Sequence, residues 1–218
     1  MLTPSQAQTM LTLQARMNAR VNPDWVRAGY PYLRAVVVEG AEAMEHKGWK
    51  WWKHQDCDLP QLQMELVDIW HFMLSHLLLE QQGDEAASLA VLLAADSAQS
   101  VLFDGSQIEL ASLDVIDKLE LTIGLAAARR LSLPLFASLL HDCEMSWQDL
   151  YRQYVGKNVL NFFRQDHGYK EGSYRKLWDD GREDNEHLVD IMTGLDAAED
   201  GFQHLLYDSL KDRYEKSR

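Results

Sequence analysis

The sequence contains little cysteine, which limits the kinds of site it can build. Its 218 residues include two cysteines, Cys57 and Cys143, which lie far apart along the chain. Two such residues cannot form the disulfide framework of a small secreted domain or a zinc site made mainly of thiolates. We therefore predict two reduced thiols in a protein that buries an ordinary apolar core, as its 46% hydrophobic residues allow.

Long apolar runs are also missing. The most apolar stretch, residues 72–79, is interrupted by Ser75 and His76, whereas a transmembrane helix needs about 18 to 20 apolar residues. The amino-terminal residues lack the charged segment followed by an apolar segment that marks a signal peptide. These absences predict a soluble protein that does not span a membrane and resides in the cytoplasm.

Basic residues are scarce relative to acidic ones. There are 21 Lys and Arg residues against 34 Asp and Glu residues, and the net charge is −13. A broad nucleic-acid-binding surface needs positive charge, so we expect no nucleic-acid partner. A small polyanion held in one pocket is compatible with this composition.

Proline is rare, with five residues, and alternating polar and apolar stretches are few, so strands have little room. Helical periodicity instead recurs along most of the chain. We predict one all-α domain over residues 1–218, a multi-helix bundle in which antiparallel helices carry paired carboxylates. The expected helices cover residues 5–20, 31–46, 61–81, 132–167 and 183–214, the last broken near Gly194 and Gly201, with a loop at 48–60 and alanine-rich segments at 85–99 and 110–131 on either side of an Asp104-Gly105 turn.

Two of these helices carry acid pairs at helical spacing. Glu39 and Glu42 lie three residues apart, as do Glu65 and Asp68, so each pair projects from one helix face. Their neighbours are mostly apolar, and a hard divalent cation such as Mg²⁺ would compensate the cost of burying unpaired carboxylates. Solvated surface acids are one alternative. A di-iron site is another, because Asp68-x-x-His71 matches half of its ligand pattern, although a second acid-x-x-His is missing.

A basic segment lies closer to the carboxyl terminus. Residues 157–176 contain five basic and two acidic residues. On a helix, one polar arc of about 120° collects cations and amides without a Glu to pair them: Lys157, Asn158, Asn161, Arg164 and Gln165. A cationic segment in an acidic protein indicates an anionic ligand, for which phosphate is the obvious candidate. A solvated helix face is the alternative.

Two further features could hold a planar ring. Gln14 and Asn18 lie four residues apart on one helix face, where their amides could bind one ligand together, although the spacing alone favours exposed amides. Trp49, Trp51 and Trp52 follow the first acid pair. One of them could stack on a base while another anchors the core.

Together these segments resemble the dimeric all-α dUTPase family, within the MazG-like nucleoside triphosphate pyrophosphohydrolases, over about residues 10–190. Five motifs carry the resemblance: residues 13–18, 39–52, 65–72, 157–174 and 183–185. The first implies uracil binding by Gln14 and Asn18, and the second implies Trp49 or Trp52 at the base.

The resemblance implies an enzyme, a dUTP diphosphatase that converts dUTP, and dUDP as well, to dUMP. It implies a cage for two or more Mg²⁺ ions, with Mn²⁺ able to substitute, made by Glu39, Glu42, Glu65 and Asp68. Glu42 and Glu39 would be the catalytic residues, with Glu42 taking the proton from the attacking water. Phosphate and sugar contacts would come from Lys157, Asn161, Arg164, Tyr169, Lys170 and Tyr174, supported by His71, Asn158 and Gln165.

The family also implies a homodimer, which nothing in the composition indicates. Other functions are compatible with the same residues. A relative could hydrolyse dCTP as well as dUTP, or act on a broader range of nucleotides as a house-cleaning pyrophosphatase. A non-enzymatic helical module that binds metal and nucleotide is a further alternative.

Overall fold

The computed structural model of the chain describes residues 2–94, 98–195 and 201–217. It is predominantly helical, which confirms the predicted all-α class. The elements are α1 (Pro4–Val21), α2 (Trp25–Ala28), α3 (Tyr32–Lys47), α4 (Leu59–Glu80), α5 (Glu85–Ala94), β1 (Ser100–Phe103), β2 (Ser106–Glu109), a 3₁₀ turn (Leu110–Ser112), α6 (Val115–Ala127), α7 (Leu133–Asp142), α8 (Trp147–Asp166), α9 (Asp184–Thr193) and α10 (Phe202–Lys216). In the part of the chain described, no helix is long and apolar enough to cross a membrane.

The chain forms two compact units, Met1–Tyr151 and Arg152–Arg218. Each is described by itself below. A single domain over residues 1–218 stays a prediction.

In the first unit, α1 and α4 begin where the sequence supplies capping groups. The Thr3 side chain accepts a hydrogen bond from the Gln6 backbone, and the Gln6 side chain accepts one from the Thr3 backbone, which completes a capping box. Asp58 accepts a hydrogen bond from the Gln61 backbone at the start of α4. Met10, Leu13 and Met17 form the buried apolar face of α1.

α4 runs through the core of this unit and contacts α1, α3 and α5. Trp70 stacks on Phe136 of α7, with ring centroids 5.0 Å apart and planes inclined by 14°. Trp147 meets Trp70 edge-on at 5.5 Å. Burying an apolar side chain of this size contributes about 1.5–3 kcal/mol. This packing fixes the position of the helix that carries Glu65 and Asp68.

α3 packs antiparallel to α4, as the sequence predicts. Gly48 ends α3 with φ of +82°, and the Asp58 backbone N–H donates to the His46 carbonyl at 2.8 Å. This hydrogen bond holds the start of α4 beside the end of α3. The chain therefore reverses direction in the loop, and α4 runs back along α3. The faces that carry the two acid pairs are brought together in this way.

Gly40 allows α3 to approach α6 as well. A Cβ built at this position would lie 2.7 Å from Ile123 Cγ1, closer than the optimal separation of about 3.5–4.0 Å between carbon atoms. α3 is thus held between α4 and α6.

The prediction of one continuous helix over residues 132–167 is wrong. α7 ends at Asp142 and α8 begins at Trp147. Glu144 has φ of +55°, and the Met145 backbone donates to the Leu140 carbonyl at 3.0 Å, a pattern typical of helix ends. No Gly or Pro marks this break, so the usual stop signals are absent from the sequence.

A short hairpin separates the alanine-rich segments. β1 and β2 pair antiparallel, with Ser100 opposite Glu109 and Phe103 opposite Ser106. Asp104 and Gly105 form the predicted turn with φ of +48° and +76°, as a two-residue hairpin turn requires. The strands were not expected, because four residues are too few to show a period of two.

In the second unit, α9 and α10 pack against each other. Rings gather around Phe163: His167 lies 3.9 Å away, Tyr214 5.4 Å and Tyr207 5.5 Å between centroids. The break predicted near Gly194 and Gly201 is confirmed, since α9 ends at Thr193 and α10 begins at Phe202.

Candidate functional site

Three of the four predicted metal ligands meet between α3 and α4. One carboxylate oxygen from each of Glu39, Glu42 and Glu65 lies within 4.8 Å of the other two. Glu65 is buried, Glu39 is half-buried and Glu42 is exposed. Asp68 is half-buried and follows Glu65 by nearly one turn. The group therefore has a buried floor and an open side, as a site that receives a ligand needs.

The carboxylates of this group repel one another. Burial, followed by the negative charges of Asp68, Glu65 and Glu42, raises the pKa of Glu39 from 4.5 to about 7. A divalent cation would remove this repulsion and stabilise the ionised form. Oxygen ligands alone, from carboxylates, fit Mg²⁺ or another hard ion. The residues present thus suit the cation that the sequence predicts.

Two histidines lie on the helices that carry this group. His46 Nε2 is 3.5 Å from Glu65 Oε1. His71, the residue of the di-iron alternative, has its Nδ1 2.8 Å from Gln14 Oε1. The three grouped ligands are carboxylates, which favours a hard cation over the di-iron interpretation.

A buried polar network lies beside His71, between α1 and α4. Gln14 Nε2 donates to Ser75 Oγ at 2.7 Å and to Asn18 Oδ1 at 3.2 Å. Ser75 Oγ is 3.1 Å from Asn18 Oδ1 and 3.0 Å from the His71 carbonyl oxygen. Gln14 and Asn18 are 5% and 6% exposed, so the exposed amides that their spacing favours are a wrong expectation. Their partners come from α4, which the α1 sequence does not reveal.

The tryptophan loop presents flat rings to solvent. Trp49 is half-buried and its Nε1 donates to Glu45 Oε1 at 2.7 Å. Trp51 and Trp52 are 85% and 58% exposed. The Trp52 ring lies edge-on to Trp49 at 5.2 Å and to Trp51 at 4.4 Å. An aromatic surface of this kind can stack on a base.

In the second unit, Arg164 has a partner that the sequence analysis did not identify. Its Nε and Nη2 donate to the two carboxylate oxygens of Asp184, both at 2.8 Å. Nη1 lies 3.3 Å from Asn161 Oδ1. Tyr174 donates its hydroxyl to Asp184 Oδ2 at 2.9 Å. Arg164 and Tyr174 were both predicted to contact phosphate or sugar. In the structure, both donate hydrogen bonds to the buried Asp184 carboxylate.

The other residues of the basic segment differ in exposure. Lys157 and Gln165 are half-buried, Asn158 is fully buried, and Tyr169 and Lys170 are exposed. Lys176 Nζ lies 5.9 Å from the centre of the Tyr169 ring. Two polar residues were missed: Ser75, because it interrupts an apolar run, and the role of Asp184, although residues 183–185 were noted as a motif.

A sequence model of the dUTPase family matches residues 6–169 of the chain. The match includes the carboxylate group, the amide network, the tryptophan loop and α8. Tyr174 and Asp184 lie beyond it. No curated protein matches the chain.

Proposed function

The chain belongs to the all-α dUTPase family, whose activity is the hydrolysis of dUTP, and from that premise we propose how its residues carry out the reaction. The reaction would be the Mg²⁺-dependent conversion of dUTP and water to dUMP and pyrophosphate, and of dUDP to dUMP and phosphate. The observation that carries this proposal is the carboxylate group of Glu39, Glu42 and Glu65, whose oxygens lie within 4.8 Å of one another.

Asp68 completes the cage in this proposal, and Glu39, Glu42, Glu65 and Asp68 hold two or more Mg²⁺ ions, with Mn²⁺ as a substitute. When bound, such ions neutralise phosphate charge and lower the pKa of water. Glu42 is the most exposed of the grouped acids, and we assign it the proton from the attacking water. The water oxygen bonds to phosphorus, the bridge between the α- and β-phosphates breaks, and pyrophosphate leaves with its electron pair.

We assign the nucleotide contacts as the family resemblance implies. Gln14 and Asn18 bind the base, and Trp49 or Trp52 stacks on it. The phosphates and sugar are assigned to Lys157, Asn161, Arg164, Tyr169, Lys170 and Tyr174, with His71, Asn158 and Gln165 as supporting residues. Asp184 adds to this set, because it binds one edge of the Arg164 guanidinium through Nε and Nη2 and leaves Nη1 beside Asn161. We also propose a homodimer, which light scattering tests.

The test is product release from dUTP, dUDP, dCTP, dTTP and UTP, each with Mg²⁺, with Mn²⁺ and with EDTA. Fast turnover of dUTP and dUDP that EDTA abolishes supports the proposal. Comparable rates on dCTP would keep the chemistry and assign a mixed specificity. Turnover that is unchanged in EDTA would overturn the metal cage.

A further inference from the structure

Ser75 sits at the centre of the polar network and is fully buried. It receives a hydrogen bond from Gln14 Nε2, and its own hydroxyl hydrogen faces two acceptors, Asn18 Oδ1 and the His71 carbonyl oxygen. A hydroxyl that accepts from one amide and donates toward another imposes a direction on the network. Ser75 therefore orients the amides of Gln14 and Asn18, in addition to packing in the core.

The network continues from Gln14 to His71. Gln14 Oε1 can only accept, so the Nδ1 of His71, 2.8 Å away, carries the proton. With its oxygen toward His71, the Gln14 amide has its nitrogen toward Ser75 and Asn18. Rotating the Gln14 amide by 180° would place two oxygen acceptors opposite each other at Asn18.

Asn18 is the end of this chain of hydrogen bonds. Its Oδ1 faces Gln14 Nε2 and Ser75 Oγ, at 3.2 and 3.1 Å. Its Nδ2 is buried and has no hydrogen-bond partner among the residues described. A buried donor left in this state is unfavourable unless a ligand or water accepts from it. The network thus offers a ligand the Asn18 amide nitrogen as a hydrogen-bond donor in a fixed orientation.

The network also has a suitable position relative to the acids. Asp68, His71 and Ser75 lie within about 60° on one face of α4. Ser75 is two turns beyond Asp68, a rise of about 10 Å. This is the scale of the distance between the base and the triphosphate of a nucleotide.

We propose that Ser75 is a specificity-determining positioning residue, which holds the Asn18 amide so that it donates to the carbonyl oxygen at position 4 of the pyrimidine. Uracil has an acceptor at that position and cytosine has an amino donor, so the fixed donor favours dUTP over dCTP. The inference rests on the proposed function, since it concerns the base of that substrate.

The test compares kcat/KM for dUTP and for dCTP in the wild type and in Ser75→Ala. Without the hydroxyl, the Asn18 amide can turn its oxygen toward the base, and one lost hydrogen bond corresponds to about tenfold. We expect the dUTP to dCTP ratio of kcat/KM to fall about tenfold, mainly through KM. The matched control is Ser88→Ala, because Ser88 is also fully buried and donates to the carbonyl of Asp84, four residues earlier. The control should leave the ratio unchanged.

A double-mutant cycle tests whether Ser75 acts through Asn18. In an Asn18→Ala background, Ser75→Ala should change the ratio no further. A wild type that prefers dUTP while Ser75→Ala keeps the same ratio would overturn the inference and leave the proposed function intact. A wild type that hydrolyses dCTP as well as dUTP would also overturn it. A wild type inactive on dUTP would refute the proposed function, and this inference with it.

Discussion

The Arg164 guanidinium and the Asp184 carboxylate form a buried bidentate ion pair. Both N–O distances are 2.8 Å, Asp184 is fully buried, and Arg164 is 8% exposed. Burial and the adjacent Asp184 charge raise the pKa of Tyr174 well above its ordinary value, so its hydroxyl stays protonated and donates to the same carboxylate. α8, the loop after it and α9 are joined at one point.

Asp184→Asn should destabilise the protein strongly. It leaves the buried Arg164 cation without a counter-charge, and breaking a buried pair in this way costs about 3–5 kcal/mol of unfolding free energy. Urea denaturation measures the loss. Asp190→Asn is the matched control on α9, because Asp190 forms an exposed pair with Arg182 at 2.8 Å, and we expect a much smaller loss from it. Equal losses in the two variants would contradict the structural role of Asp184.

Asp68→Ala should lower kcat for dUTP by about 10²–10³-fold while changing KM much less. Metal ligands act mainly on the transition state, so their loss appears in turnover. Steady-state kinetics at saturating Mg²⁺ makes the measurement. Glu80→Ala is the control, since Glu80 lies on the same helix and pairs with His76 at 3.3 Å. Near-normal turnover of Asp68→Ala would remove Asp68 from the cage.

Stabilisation by Mg²⁺ should increase with pH. The pKa of Glu39 is raised from 4.5 to about 7. Between these two pH values, the metal-free folded state therefore keeps a proton that the unfolded state has lost. Metal-free stability therefore falls as pH rises through this range, whereas metal binding needs the ionised carboxylate.

Thermal unfolding with and without Mg²⁺ checks this prediction. The difference in Tm should widen from about pH 5.5 to about pH 8. Glu39→Gln should remove the metal-free decline between these values, because the titrating group is gone. A Tm difference that stays constant over the range would be the opposite result.

The two thiols should differ in reactivity. Burial raises the pKa of Cys143 to about 12, so little thiolate forms there, whereas Cys57 is exposed. Iodoacetamide at about pH 8 should alkylate Cys57 alone in the folded protein and both residues in urea. Mass spectrometry counts the adducts, with Cys57→Ser as the control that should give none when folded. Rapid alkylation of Cys143 in the folded protein would contradict its burial.

The carboxylate group was predictable because its residues obey local rules. Glu39 with Glu42 and Glu65 with Asp68 share helix faces by spacing alone, and a short loop makes their helices antiparallel neighbours. The two faces therefore meet without any knowledge of the rest of the fold. The same reasoning located α1 and the break before α10.

What the sequence did not reveal depends on partners far along the chain. Asp184 lies 20 residues beyond Arg164, so the polar arc of α8 looked unpaired when examined by itself. Gln14 looked exposed until Ser75, 61 residues away, supplied its acceptor. The helix break at Glu144 depends on a left-handed backbone conformation. Glycine usually marks such a conformation in a sequence, and this position has none.

Close helix packing at Gly40 controls the positions of two acids of the carboxylate group. Gly40 lies between Glu39 and Glu42 and leaves no room for a side chain against Ile123. A larger residue would force Ile123 or α3 to shift. A shift of α3 would move both acids, and a misplacement of about 1 Å can cost about a hundredfold in rate. Substitution of Gly40 should therefore lower activity indirectly, through the positions of Glu39 and Glu42. A random-mutagenesis screen for lost activity should find position 40, although we assign it no ligand contact.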